Sequence, residues 1–205
     1  KIRLQIKTMK KIILLLSLFI FGCTSKNNDP TEVITPAADV KEQTPPLPKK
    51  KEIQNGDLIF HTSTSSQSLA IQIASQSKYS HVGIIYQDGT DYKVLEAVQP
   101  VKMTPLQDFI NRGEGKHYVI KRLKSSETLL TPESLSKMKT IGRKYLNKNY
   151  DLKFEWSDDK IYCSELVWKI YNQALDVKIG ELQKLKDFDL SDPVVKAKVR
   201  ERYGD

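Results

Sequence analysis

Residues 53–205 predict one domain of mixed strands and helices, and three observations carry that expectation. Two strand-like runs, 81–86 and 92–98, flank Asp88-Gly89, a strong hairpin signal. An amphipathic run at 131–146 opens with Thr131-Pro132-Glu133, an N-cap residue, a first-turn proline and an early acid. The whole chain of 205 residues is 39% hydrophobic and 28% charged, a balance that suits one globular domain with tails and disfavours a coiled coil, full disorder or a polytopic membrane protein.

The elements follow in order. GDLIF at 56–60 reads as a turn and a short strand. Residues 65–77 read as a helix with Leu69, Ile71, Ile73 and Ala74 as its apolar positions. After the hairpin, 105–112 reads as a short helix, and HYVIKRL at 117–123 alternates like a strand. Helices are expected at 131–146, at 162–171, and in the charged tail at 193–202.

The N-terminus reads as an address. Met9 is the expected start, with residues 1–8 upstream of it; Lys10 and Lys11 form a positive n-region, and Ile12 to Gly22 is an apolar run. That run is too short for a hydrocarbon core, which needs about 20 residues, and suits a signal-peptide core. Gly22-Cys23 at its end resembles a bacterial lipoprotein signal, in which Cys23 is lipidated and anchors the chain; two acyl chains suffice for stable anchoring. The formal charge of +8 falls to +3 once residues 1–22 are set aside, so nucleic-acid binding is not expected. Residues 24–52 hold five of the nine prolines and no apolar periodicity. They read as a flexible linker with a span of roughly 30 Å.

Chemistry enters at IYCSELVWKIY, 161–171. Cys163, Leu166, Val167 and Ile170 recur at i, i+3, i+4 and i+7, so they share one helix face. Cys163 then lies in the first helical turn, where unpaired N–H groups and the dipole favour the thiolate and can hold an oxyanion. The bland alternative is a small buried hydrophobe. A nucleophilic thiol needs a base, and His61, His81 and His117 are the candidates. With Asp88 and Gly89 central to the turn, His81 falls opposite Glu96, close enough for a carboxylate to orient an imidazole. The competing reading is a weak surface pair, and a one-residue slip would place Glu96 elsewhere. Two cysteines are too few for a disulfide scaffold or a four-cysteine zinc site, and neither metal nor organic cofactor is expected.

Five stretches in this order carry a resemblance: Gly56-Asp57-Leu58-Ile59-Phe60, Tyr79 to Ile84, Leu95-Glu96-Ala97, Tyr150-Asp151 with Phe154, and Tyr162 to Val167. Together they resemble the YiiX/YebB-like group, circularly permuted members of the NlpC-type papain-like cysteine hydrolases, in which the histidine precedes the nucleophile. The resemblance implies an α+β permuted papain-like fold, with a small curved antiparallel sheet packed against the nucleophile-bearing helix. It implies Cys163 as nucleophile and His81 as base, with Glu96 at the orienting position and Tyr162 lining the site.

The expected function is therefore a lipid-anchored, envelope-facing cysteine hydrolase that cleaves an amide through a thioester. Its substrate would be a peptide, a peptidoglycan fragment or a lipid-like acyl compound. Two alternatives stand beside it. A lipid acyltransferase or deacylase would need an apolar groove beside Cys163. A non-catalytic binding module would keep sulfur and imidazole apart.

Overall fold

The computed structural model describes the backbone of residues 12–14 together with residues 53–204. Cys23, the remainder of the expected signal peptide and the linker expected at 24–52 lie outside the described residues.

Among the described residues the chain forms β1 (Ile12–Leu14), β2 (Leu58–Ser63), α1 (Ser68–Ser75), β3 (His81–Asp88), β4 (Asp91–Glu96) and β5 (Lys102–Pro105). Next come α2 (Leu106–Asn111), β6 (Gly113–Lys121), α3 (Ser126–Leu129), α4 (Pro132–Arg143), β7 (Asn149–Tyr150) and β8 (Lys160–Ile161). The last elements are α5 (Cys163–Leu175), β9 (Glu181–Gln183) and α6 (Pro193–Tyr203). The central sheet runs β5-β4-β3-β2-β6, antiparallel throughout. This is the α+β architecture expected from the sequence.

The sheet has an apolar layer on each face, because its strands alternate inward positions on both sides. Val82, Ile84, Leu95 and Leu58 pack with α4 and α5 through Met138, Ile141, Leu166 and Ile170. Ile59, Ile85 and Val94 pack instead with Leu106, Phe109 and Ile110 of α2. Burying each such side chain of α5 contributes about 1.5–3 kcal/mol, which fixes the helix that carries Cys163. Thr131 caps α4 by accepting from the Ser134 N–H at 3.2 Å, with Pro132 in the first turn, as its sequence signature predicts.

The hairpin register differs from expectation. Asp88 pairs with Asp91, so Gly89 and Thr90 form the turn and Glu96 falls opposite Gly83 rather than His81. Gly89 adopts φ +62°, the left-handed value a two-residue turn with glycine first requires, whereas Asp88 in that role would bear the cost of a Cβ. The shift is two residues, so every side chain keeps its face. Other boundaries move modestly. The first helix is shorter than 65–77, ending at Gln76 in a left-handed cap. Pro105 ends β5 instead of starting a helix, and β6 starts at Gly113. Strands β5, β7, β8 and β9 are too short to show periodicity in the sequence.

The Gly56-Asp57 pair is architectural. Buried Asp57 receives Arg122 Nε at 2.7 Å and Nη2 at 2.8 Å, and Gln54 N–H at 2.8 Å. Gly56 takes φ +84°, donates its N–H to the Ile85 carbonyl, and accepts from the Tyr171 hydroxyl through its own carbonyl. These contacts lock the start of β2 to β3, β6 and α5.

Candidate active site

Tyr162 is the N-cap of α5 in extended conformation, and its N–H is met by Glu165 Oε2 at 3.5 Å. Cys163 is therefore the first helical residue. Its side chain is hydrogen-bonded to His81 and to the backbone N–H groups of Val82 and Ser164. Burial alone would raise its pKa; the hydrogen bond and charge of His81, with those N–H donors, bring it below the usual thiol value.

His81 opens β3. Its Nε2 lies 2.6 Å from Glu96 Oε2, which leaves Nδ1 to face the thiol. Burial would lower the pKa of this ring, but hydrogen bonds to Cys163 and Glu96 outweigh burial and raise it to about 9. The two directions together favour a thiolate–imidazolium pair. His81 and Glu96 lie on the α2 face of the sheet, while Cys163 packs on the opposite face. The two meet only because His81 is the first residue of its strand, where a side chain can reach around the sheet's end.

Glu96 is fully buried and has three partners. Oε2 takes His81; Oε1 takes the Thr104 hydroxyl at 2.5 Å and the Arg112 guanidinium. Burial would raise this carboxyl, but hydrogen bonds from His81 and Thr104 and the charges of His81 and Arg112 hold it below the usual range. Thr104 comes from β5, and Arg112 follows α2 and covers the Phe109 ring at 5.8 Å. Neither residue carries a sequence signal for this role, since β5 has only four residues. Gly83 permits the approach of Glu96: a Cβ there would sit 2.3 Å from Val94 Cγ1 and 3.4 Å from Glu96 Cβ.

His61 pairs directly with His81 across β2 and β3, with ring centroids 5.1 Å apart. It stacks on Phe109 at 4.4 Å, and its Nδ1–H donates to the Phe109 carbonyl at 3.1 Å. Burial, followed by the charge on His81, lowers its pKa to about 3, so it stays neutral beside the imidazolium. His117 is exposed on β6, and no ring contact joins it to the site.

Tyr150 adds a group that the sequence pattern contained without a role. Its hydroxyl is hydrogen-bonded to Cys163 and accepts from Gln67 Nε2 at 3.2 Å. A phenol so placed can donate a hydrogen bond to negative charge at the sulfur. Tyr162 is buried, packs edge-on against Phe154 at 5.2 Å and lines the cavity next to Cys163. Farther along α5, Lys169 reaches Glu165 at 2.9 Å and Asp158 at 2.7 Å; Trp168 meets Trp156 edge-on, with ring centroids 5.2 Å apart.

A cavity of about 1150 Å³ opens beside the sulfur. Phe60, Ile71 and Phe154 give it apolar walls, and the segment after residue 172 adds Leu185, Phe188 and Val199. The C-terminal region thus builds one side of the cavity.

This thiol–imidazole–carboxylate arrangement on a sheet-then-helix order defines a class: the chain belongs to the permuted papain-like amidases of the YaeF/YiiX type, the C92 family, whose model matches residues 52–204. It is a cysteine peptidase- or amidase-type enzyme. The chain is 50% identical over 151 residues to the uncharacterized protein YiiX of Escherichia coli K12, covering 74% of this chain and 73% of that protein. It also resembles a crystal structure described as metalloprotein YiiX from Escherichia coli O157:H7, with TM-score 0.71, 50% identity, and coverage of 74% of this chain and 83% of that one.

Proposed function

We propose that this protein hydrolyses an amide with Cys163 as nucleophile, His81 as acid and base, and Glu96 as the group that orients His81. The observation that carries the reading is that His81 is hydrogen-bonded to Cys163 on one side and to Glu96 on the other. The thiolate attacks the acyl carbon. The developing oxyanion is met by N–H groups at the start of α5 and by the Tyr150 hydroxyl. The C–N bond breaks, and the amine leaves with the proton of the His81 imidazolium. Neutral His81 then takes a proton from water, which attacks the thioester; the carboxylic acid departs and the thiolate–imidazolium pair returns.

A second reading is favoured by the cavity. Its apolar walls beside Cys163 suit a lipid-like acyl chain, which favours an N-acyl bond over a cell-wall peptide bond as the one cleaved. In either case the N-terminal segment would tether the enzyme to an envelope membrane through Cys23, with residues 24–52 giving the domain reach.

The solved relative is described as a metalloprotein, but the potential donors of this site are already engaged. His81 Nε2 is held by Glu96, His61 Nδ1 by a carbonyl, and Glu96 Oε1 by Thr104 and Arg112. Among the described residues no three His, Cys, Asp or Glu side chains converge as a metal site. These donors do not fit an ion.

Activity-probe labelling tests the reading. Wild type labels at Cys163, Cys163→Ser does not, and His81→Ala loses most labelling. Equal labelling of wild type and His81→Ala would remove the base assignment.

A further inference from the structure

We propose that Arg202 forms an anion subsite in the nucleophile cavity, so that the preferred substrate is an acyl amphiphile bearing a carboxylate or phosphate. This rests on the reading of Cys163 as the nucleophile.

Arg202 lies in the last turn of α6 and lines the same cavity as Cys163. Its hydrogen-bond and ring partners are neutral groups; the neighbouring exposed carboxylate of Glu201 feels its charge but is ion-paired with Lys198 at 2.5 Å. The guanidinium donates to Gln67 Oε1 and stands 4.9 Å from the centroid of the Phe154 ring. Among the described residues no carboxylate forms an ion pair with it. Gln67 in turn donates to the Tyr150 hydroxyl, which is hydrogen-bonded to Cys163. Two side chains thus separate the cation from the sulfur, so an anion on Arg202 would sit a short distance from the acyl carbon.

The other charged side chains that line the cavity are mostly of the same sign. Lys78, Lys121 and Lys178 line the cavity, against the single carboxylate of Glu181. A cation that lines an apolar cavity is held in lowered dielectric, where an opposite charge is worth more than in water. A guanidinium also offers paired donors that match a carboxylate or phosphate. Apolar walls with a cationic edge therefore select a ligand with an apolar chain and an anionic head.

The test is calorimetric titration of the full chain, below micelle-forming concentrations, with N-dodecanoylglycine, dodecyl phosphate and neutral N-dodecanoylglycinamide. Wild type is expected to bind at least one anionic probe about tenfold more tightly than the amide, and the tighter of the two identifies the head group. In Arg202→Gln that preference falls to within about twofold while binding of the neutral amide is unchanged. Arg202→Lys keeps part of the preference, and Lys178→Gln keeps most of it. Equal binding of all three probes by wild type overturns the proposal. So does a preference that survives in Arg202→Gln, or an equal loss of neutral and anionic binding in that variant. Probe labelling of Cys163 is read separately: intact labelling without Arg202-dependent preference defeats the subsite alone, and the converse defeats the nucleophile alone.

Discussion

Glu96 stands opposite Gly83 in the β3–β4 ladder, yet its Oε2 lies 2.6 Å from Nε2 of His81, two residues farther along. The carboxylate crosses the ladder diagonally, through space that the absent Gly83 side chain leaves open. Diagonal neighbours lie about 7–8 Å apart at the backbone, a gap that glutamate and histidine together close.

That geometry makes Gly83 intolerant of a side chain. A Cβ would meet Val94 Cγ1 at 2.3 Å and the Leu95 carbonyl at 3.0 Å, and the latter is backbone of the paired strand. Gly83→Ala is expected to destabilise the fold by about 1–3 kcal/mol and to slow alkylation of Cys163. Thermal melting and iodoacetamide kinetics on the same preparation check both effects.

Removing the charge of Glu96 while keeping its shape isolates its electrostatic role. Glu96→Gln is expected to lower the labelling rate at neutral pH by about 10- to 100-fold. It also moves the deprotonation of His81 below its wild-type value near 9. Alkylation of Cys163 measured across pH reads both. An unchanged profile would show that Glu96 only fills space.

The wild-type pH dependence follows from the two shifts. The thiolate persists to lower pH than an ordinary thiol because His81 is charged beside it. Alkylation should therefore persist to lower pH than that of an ordinary thiol. Amide turnover should also fall as pH rises through about 9, where His81 loses the proton that the leaving amine requires. For stability, His81 is raised above its unfolded value of 6.5, so its contribution is full below 6.5 and is lost as pH rises through about 9.

His61 acts in the opposite sense. Its folded value of about 3 lies below the unfolded 6.5. Its stabilising contribution is present above pH 6.5 and is lost as pH falls toward 3. His61→Phe preserves an aromatic ring against Phe109 and removes this titration. It should lose less melting temperature between pH 6.5 and 4 than wild type, at the cost of about 1 kcal/mol at pH 7 for the Phe109 carbonyl left without its donor.

Thr104 supports the carboxylate from behind. Thr104→Val keeps the shape of the side chain and removes one donor to buried Glu96 Oε1. A loss of about 1–3 kcal/mol in unfolding free energy is expected. Denaturant titration checks it, and Arg112, half in solvent, should compensate only partly.

Much of this was legible in the sequence, for identifiable reasons. The face of α5 was readable because Cys163, Leu166, Val167 and Ile170 repeat with the helical period. The shared face of His81 and Glu96 was readable because strand parity survives a two-residue slip, although the turn itself was misplaced by one residue. Thr104, Arg112 and Gln67 were not readable, because each reaches the site through tertiary packing of short elements or loops. Tyr150 stood in a recognised stretch, but only the fold brings its hydroxyl to Cys163. The use of the chain beyond residue 172 as a cavity wall likewise depends on how α6 packs along α1.

The edge-on indoles of Trp156 and Trp168 have a practical consequence. Trp168 sits on the nucleophile helix, and Trp156 on the loop just before β8. The domain therefore contains its own optical gauge, since these are the two tryptophans of the chain. Ultraviolet emission can therefore report the undocking of the nucleophile helix from that loop, with no dye attached.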